Sequence, residues 1–283
     1  MGSVFVDAQI NARERAADAQ ERNRLWWEAM PMTYESWEQG DRIPHGHDAF
    51  DRIDRYFLDG NPWLRTRFDF TAARGRRVLE IGCGAGSASC LFAAAGAEVV
   101  AVDLTQQAVE LTRANARAKG LDVDVQRMDA ESLHFPAESF DYVFSWGVIH
   151  HSRSTETVMR EIARVLRPGG RGLCMVYNRA SVRYYLHGLF WLFAKGKILA
   201  GYDLESVQGC YTDGYYQRHF TPRELRGALG AAGLRCDRIS ITHMAKRMLP
   251  ALPHRLDEWL KREAGWLLVG EFEKPLPTSG RPA

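Results

Sequence analysis

The chain lacks the features that announce several common protein classes. No CxxC pair occurs, and the five cysteines (Cys83, Cys90, Cys174, Cys210 and Cys236) are scattered and odd in number. That argues against a disulfide framework or a cysteine-based metal site, and it fits a reducing cytoplasm, where we expect the protein to reside. Neither charge sign dominates: 37 Lys and Arg stand against 35 Asp and Glu, a formal net charge of +2. A strongly basic footprint for nucleic acid is therefore missing. No apolar run reaches the ~20 residues of a membrane span. The nearest, YYLHGLFWLFAKGKILA from Tyr184 to Ala200, is broken by His187, Lys195 and Lys197. It reads as a buried helix or a lid over a pocket, with an interfacial membrane contact as the lesser alternative. The opening MGSVFVDAQINARERAAD mixes both charge signs and has no apolar core, unlike a secretory signal. Internal repeats and low-complexity segments are absent too.

What is present is a soluble, globular composition: 283 residues, 46% hydrophobic and 25% charged. Residues 1–70 read as a helical N-terminal arm or cap. A polar, helix-prone stretch runs from Asp7 to Met30, and a second helix from Ala49 to Leu58 ends at Gly60-Asn61-Pro62. From about residue 71 a regular alternation sets in. Strands are expected at Arg77–Ile81, Glu98–Val102, Val123–Gln126, Phe140–Trp146 and Gly172–Tyr177. Helices are expected at Ala85–Ala95, Gln106–Lys119 and Thr155–Leu166. Such alternation implies an α/β, Rossmann-like, mostly parallel sheet covered on both faces. Between residues 178 and 220 the rhythm breaks into an aromatic-rich insert, longer than an ordinary connection and suited to a helical substrate lid. Thr221 and Pro222 restart it as a helix N-cap with proline at the first position. A strand near Asp237–Ile241, a helix near His254–Glu263 and a last strand at Trp266–Phe272 complete the order.

The segment VLEIGCGAGSASCLFAAAGAEVVAVD, Val78 to Asp103, is a nucleotide-binding βαβ unit. Its turn, Gly82-Cys83-Gly84-Ala85-Gly86-Ser87, places Ser where the dinucleotide pattern wants Gly or Ala. Ser87 is small, so the turn alone leaves dinucleotide and mononucleotide both open. The neighbours weigh further. Glu80, just before the glycines, repels a phosphate but accepts bonds from an ammonium group. Asp103 ends the second strand where a carboxylate takes both ribose hydroxyls. Asp129, in RMDAES, is placed to accept an adenine amino group. Three acids around one cleft suit an adenosine that carries positive charge and no phosphate, as S-adenosyl-L-methionine does.

With these motifs the chain resembles the class I S-adenosylmethionine-dependent methyltransferases of small-molecule and natural-product type. VLEIGCGAG, VVAVDLT, RMDAESLHFPAESFDYVFSWGVIHH and EIARVLRPGG carry the resemblance, from about Arg76 to Tyr177. It implies a seven-stranded sheet with the last strand antiparallel. It also implies that Gly82, Gly84 and Gly86, with Cys83 between them, bring backbone to the cofactor. Asp103 would bind the ribose and Leu104 pack on the adenine. Asp129 and Ala130 would hold its edge, and Ser145 and Trp146 would line the methionine end. Tyr34 and Trp37 of the arm would fold back over the cofactor, as such arms do in related enzymes.

Methyl transfer from a sulfonium is an in-line displacement, so the protein's work is alignment and exclusion of water, with a base if the acceptor bears a proton. His150 and His151 leave the fourth strand where such a sheet opens its ligand crevice, and they are the catalytic candidates. Consecutive residues there point different ways, so one at most faces the acceptor. The alternative is that one caps the following helix and the other faces solvent. Tyr177 and the insert aromatics Tyr184, Tyr185, Trp191, Tyr215 and Tyr216 are the substrate-binding candidates, which points to an apolar or aromatic acceptor at O, N or C. Three other functions compete. One is an NAD(P)-dependent oxidoreductase on the same βαβ unit, and another a catalytically silent methyltransferase-like binding subunit. The third is a nucleic-acid methyltransferase, hinted at by Asn61-Pro62-Trp63 but without a basic recognition region. The expected partner is a small molecule, with a homodimer as an option and no stable membrane insertion.

Overall fold

The computed structural model describes residues 19–30, 46–211, 217–242 and 253–277. Tyr34, Trp37, Tyr215 and Tyr216 lie outside the described residues.

The central sheet is built from β1 (Arg77–Ile81), β2 (Glu98–Asp103), β3 (Asp124–Arg127), β4 (Phe140–Trp146) and β5 (Leu166–Asn178). The two-residue β6 (His219–Phe220), then β7 (Arg235–Thr242) and β8 (Leu267–Glu273), complete it. Strand order is β3-β2-β1-β4-β5-β8-β7, with β6 pairing the end of β5 off this path. β8 is antiparallel to both its neighbours, with Leu268 opposite Val176 on one side and Ile241 on the other. The seven-strand path with one reversed strand is as expected, and β6 is an addition.

The strands form where apolar residues run continuously. In β1, Val78, Leu79, Glu80 and Ile81 are all buried, as a strand covered on both faces requires. Order reverses between β1 and β4, because the chain moves outward from β1 to β3 and then crosses back. A crevice opens at the carboxyl ends of strands at such a point.

Two departures from the sequence reading have clear causes. β5 starts at Leu166 rather than Gly172, running straight on from the helix at Thr155–Val165. Leu166 pairs with Phe140, a register shift follows, and Gly169 donates to the Lys274 carbonyl, a backbone bond that local sequence does not announce. The insert is not one lid helix. It comprises a helix at Val182–Leu189, a π turn at Phe190–Ala194, a 3-10 turn at Lys197–Ala200 and a helix at Leu204–Tyr211.

Numbered in chain order, the helices are α1 (Ala19–Ala29), α2 (His47–Gly60), α3 (Pro62–Arg67), α4 (Ser87–Ala94), α5 (Gln106–Ala118), α6 (Thr155–Val165), α7 (Val182–Leu189), α8 (Leu204–Tyr211), α9 (Pro222–Ala231) and α10 (His254–Ala264). Phe50, Ile53 and Phe57 form the buried face of α2, each contributing roughly 1.5–3 kcal/mol by burial. On its flank, Asp54 accepts from the Ser87 hydroxyl at 2.6 Å and pairs with Lys119. That ties the N-terminal region to α4 and α5 beside the glycine turn. Thr221 caps α9 through a reciprocal box with Glu224, as TPRE predicts.

Candidate active site

A cavity of about 290 Å³ opens at the carboxyl ends of β1 and β4. One wall is the turn after β1. Gly82 has φ 78°, and a Cβ there would lie 2.1 Å from a methyl of Val148. Gly86 has φ 81°, and a Cβ there would lie 2.9 Å from the Thr112 methyl. Neither position accepts a side chain: Gly82 lines the cavity with bare backbone, whereas Gly86, expected to do the same, lies off the cavity and makes room for Thr112. Cys83, in the same turn, is buried with its thiol pushed well above the ordinary range by burial. It is a packed thiol rather than a nucleophile.

Asp103 ends β2 at the cavity edge. One carboxylate oxygen accepts from the Thr105 amide at 3.0 Å and hydroxyl at 2.9 Å, and the other from the Gly84 amide at 3.2 Å. Burial raises its pKa in spite of those bonds. Glu80 lines the cavity from β1, where burial pushes its carboxyl up to about 8 against the bond from the Ser89 hydroxyl. A cation arriving beside it favours the ionised carboxylate, and the displaced proton goes to solvent. Leu104, Asp129 and Ala130 complete this end.

These residues fit S-adenosylmethionine. Side-chain-free backbone leaves room for the ligand at the turn, Asp103 is rigidly oriented, and Glu80, Asp103 and Asp129 gather negative potential where a sulfonium and an ammonium would sit.

The sequence missed much of the remaining lining. α1 lies across the cavity: Gln20 donates to Asp129, Asn23 donates to the His151 carbonyl at 3.0 Å, and the Trp27 ring meets the His151 ring edge-on at 5.0 Å. Glu28 accepts from the Gln106 and Gln107 amides at the start of α5, which anchors the helix. The arm therefore covers the site through Gln20, Asn23 and Trp27, and no aromatic residue announced the first two. Asn61, singled out only as part of Asn-Pro-Trp, accepts from the Trp146 indole at 3.0 Å and so fixes that ring in the cavity wall.

Trp146, His151, Tyr177, Arg183 and Trp266 also line the cavity. The Arg183 guanidinium lies 4.4 Å over the Trp266 ring, and no carboxylate pairs with it among the described residues. Trp266 and Tyr177 have ring centroids 4.5 Å apart.

Five further sequence candidates stand elsewhere. Ser145 is fully buried and donates to the Ile81 carbonyl at 3.2 Å, because alternation along β4 turns it away from the face that Trp146 presents. His150 sits behind His151, their rings 4.1 Å apart, and does not line the cavity. Burial, with His151 and His219 nearby, holds its pKa well below the ordinary value. In the insert, Tyr184 is packed in the core, Tyr185 faces solvent, and the Trp191 indole donates to His187 at 3.0 Å. None of the three lines the cavity. His151 and Tyr177 do, so the structure brings these two together with the cofactor-side residues.

Comparisons with known proteins agree with this geometry. Residues 79–174 match a family model described as a methyltransferase domain. The chain carries a methyltransferase domain over those residues. The ubiquinone biosynthesis O-methyltransferase of Rhizobium etli is 33% identical over 160 residues, 56% of this chain and 60% of that protein. The same enzyme of Sinorhizobium fredii is 31% identical over 163 residues, 57% of this chain and 60% of that protein. The chain thus spans about three-fifths of the length of these relatives. Among solved structures, an S-adenosylmethionine-dependent methyltransferase from Mesorhizobium loti aligns at TM-score 0.53 and 23% identity, over 76% of this chain and 99% of that one. The [4+2]-cyclase SpnF aligns at TM-score 0.58 and 20% identity, over 92% and 97%. At such identity these structures establish the shared fold alone. A methyltransferase domain with an acid-lined turn takes S-adenosylmethionine as its cofactor.

Proposed function

We propose that the protein methylates a hydroxyl group on a small, largely apolar or aromatic acceptor, of the quinol or phenol kind. The observation that carries this reading is the composition of the cavity lining. Its lining combines three acids, Glu80, Asp103 and Asp129, with the aromatic side chains Trp27, Trp146, Tyr177 and Trp266 and a single histidine, His151. That the ubiquinone-biosynthesis relatives are O-methyltransferases supports an oxygen acceptor.

S-adenosylmethionine, when bound, supplies the methyl group as a sulfonium. The chain's residues do the rest. Asp103 and the glycine turn hold the adenosine part, and Trp146, Tyr177 and Trp266 orient a flat acceptor. Trp27 and Asn23 of α1 exclude water, which is where proximity gains most. His151 accepts the hydroxyl proton at a ring nitrogen as the oxygen–carbon bond forms, a contribution typically worth ~10²–10⁴-fold. Arg183 gives the acceptor end its one guanidinium, which favours an oxygen that is becoming negative before transfer.

The test is incubation with methyl-labelled S-adenosylmethionine and a panel of catechols, hydroquinones, aromatic amines and small polar acids. Labelled methyl ethers of the first two classes are the expected products. Label only on amines, on polar acids or on no compound would overturn the reading.

A further inference from the structure

Among the described residues, Arg183 is the one lysine or arginine that lines the cavity. It stands in the first turn of α7, half-buried, and no carboxylate neutralises it. The arginines around it are matched: Arg179 pairs with Glu224, and Arg218 with Glu156. Of the described acids on the insert, Asp203 accepts from the Ser206 amide and hydroxyl at the start of α8, and Glu205 is exposed. Neither pairs with Arg183. His187 and His219 supply no counter-charge either. Burial chiefly, with Arg183 contributing, holds both below the ordinary imidazole range.

The Trp266 face attracts the guanidinium but leaves its five N–H donors without acceptors. A single hydroxyl oxygen has lone pairs for two of them at most. A carboxylate takes two in parallel, at fixed geometry, and brings a full opposite charge. A cation held partly out of water without a partner is costly, and a ligand carboxylate would offset that cost.

Sheet order sets this cation apart from the glycine turn. Trp266 directly precedes β8, which stands three strands from β1 in the order β1-β4-β5-β8. At ~4.8 Å per strand, that is roughly 14 Å. Tyr177, at the end of β5, bridges the interval, its ring centroid 4.5 Å from that of Trp266 and 5.8 Å from that of His151. One side chain thus links the imidazole to the ring beneath the cation.

We propose that Arg183 sets the acceptor class: the hydroxyl-bearing ring also carries a carboxylate, which the guanidinium holds through two parallel hydrogen bonds. For the acceptor's hydroxyl this rests on the reading above, while the carboxylate is tested by binding alone.

The experiment is calorimetric titration of the full chain, saturated with S-adenosylhomocysteine so that no turnover occurs. The ligands are 3,4-dihydroxybenzoate, 3,4-dihydroxyphenylacetate and 3-(3,4-dihydroxyphenyl)propanoate, each beside its primary amide, which keeps the shape and removes the charge. At least one acid is expected to bind at least about tenfold tighter than its amide. Arg183→Met is expected to bring each pair within about twofold, and Arg183→Lys to keep only part of the preference, since an ammonium is a point charge. Melting curves of both variants establish that they are folded. Affinity for S-adenosylhomocysteine should not change in either. The proposal is overturned if no acid binds tighter than its amide, including no binding at all, or if Arg183→Met keeps the preference. It is also overturned if Arg183→Met weakens S-adenosylhomocysteine at least about tenfold, because the guanidinium then serves the cofactor's own carboxylate. Tight binding of an acid whose hydroxyl is never methylated would remove the hydroxyl reading and leave the carboxylate site standing.

Discussion

Gln20 donates its side-chain amide to both carboxylate oxygens of Asp129, at 3.2 and 3.1 Å, across 109 residues of sequence. If Asp129 takes the adenine amino group, as the sequence leads us to propose, α1 and the cofactor compete for one carboxylate. Loosening that bond should open the site. Gln20→Ala is expected to raise the cofactor association rate several-fold, read by stopped-flow quenching of Trp27 fluorescence. An unchanged rate would show that α1 is not a gate.

Glu80 gives a stability signature with a definite sign. Its carboxyl titrates at about 8 in the fold against 4.5 as a free group, so between those values the unfolded chain holds fewer protons than the native one. Stability contributed by this group is present below the unfolded value and is lost as pH rises toward 8. Glu80→Gln, which stays neutral, is therefore expected to gain on the wild type as pH climbs from 5 to 8. Each pH unit across that window is worth about 1.4 kcal/mol, which makes the gain on the order of a few kcal/mol. Parallel pH profiles in chemical denaturation would contradict the assignment.

The two neighbouring histidines should separate cleanly. His151→Gln is expected to lower kcat by about tenfold to a thousandfold, leaving cofactor affinity nearly unchanged. His150→Gln should leave kcat within a few-fold and act on stability, because His150 is packed behind the wall. Since its folded pKa lies well below 6.5, the stability it contributes is lost as pH falls through the unfolded value. Equal kcat losses in both variants would mean that neither acts as the base.

The fold was legible where structure is local. Arg77–Ile81 and Phe140–Trp146 match the structure to the residue, because each is an apolar run bounded by turn-forming residues. The start of β5 was not, because Leu166 to Gly170 is held by Phe140 and Lys274, partners that no window of sequence contains. The site divides the same way. Gly82, Asp103 and Asp129 follow consecutive strand ends and were readable in order. Gln20, Asn61, Arg183 and Trp266 come from four separate segments and meet only after folding. The insert aromatics misled for another reason. A helix apolar nearly all round does not declare its inner face, so Tyr184 went to the core and Tyr185 to the surface.

The central claim is that this cavity holds S-adenosylmethionine through Asp103, and calorimetric titration of the cofactor into the wild type and Asp103→Ala tests it most directly. Charge-assisted hydrogen bonds are worth roughly 1.5–3 kcal/mol each, so losing one or both lowers affinity by at least about tenfold. Circular dichroism and melting of the variant establish that it is folded. The account expects saturable one-site binding to the wild type and a dissociation constant at least about tenfold weaker for the folded variant. No binding to the wild type, or the same constant for both proteins, would contradict it.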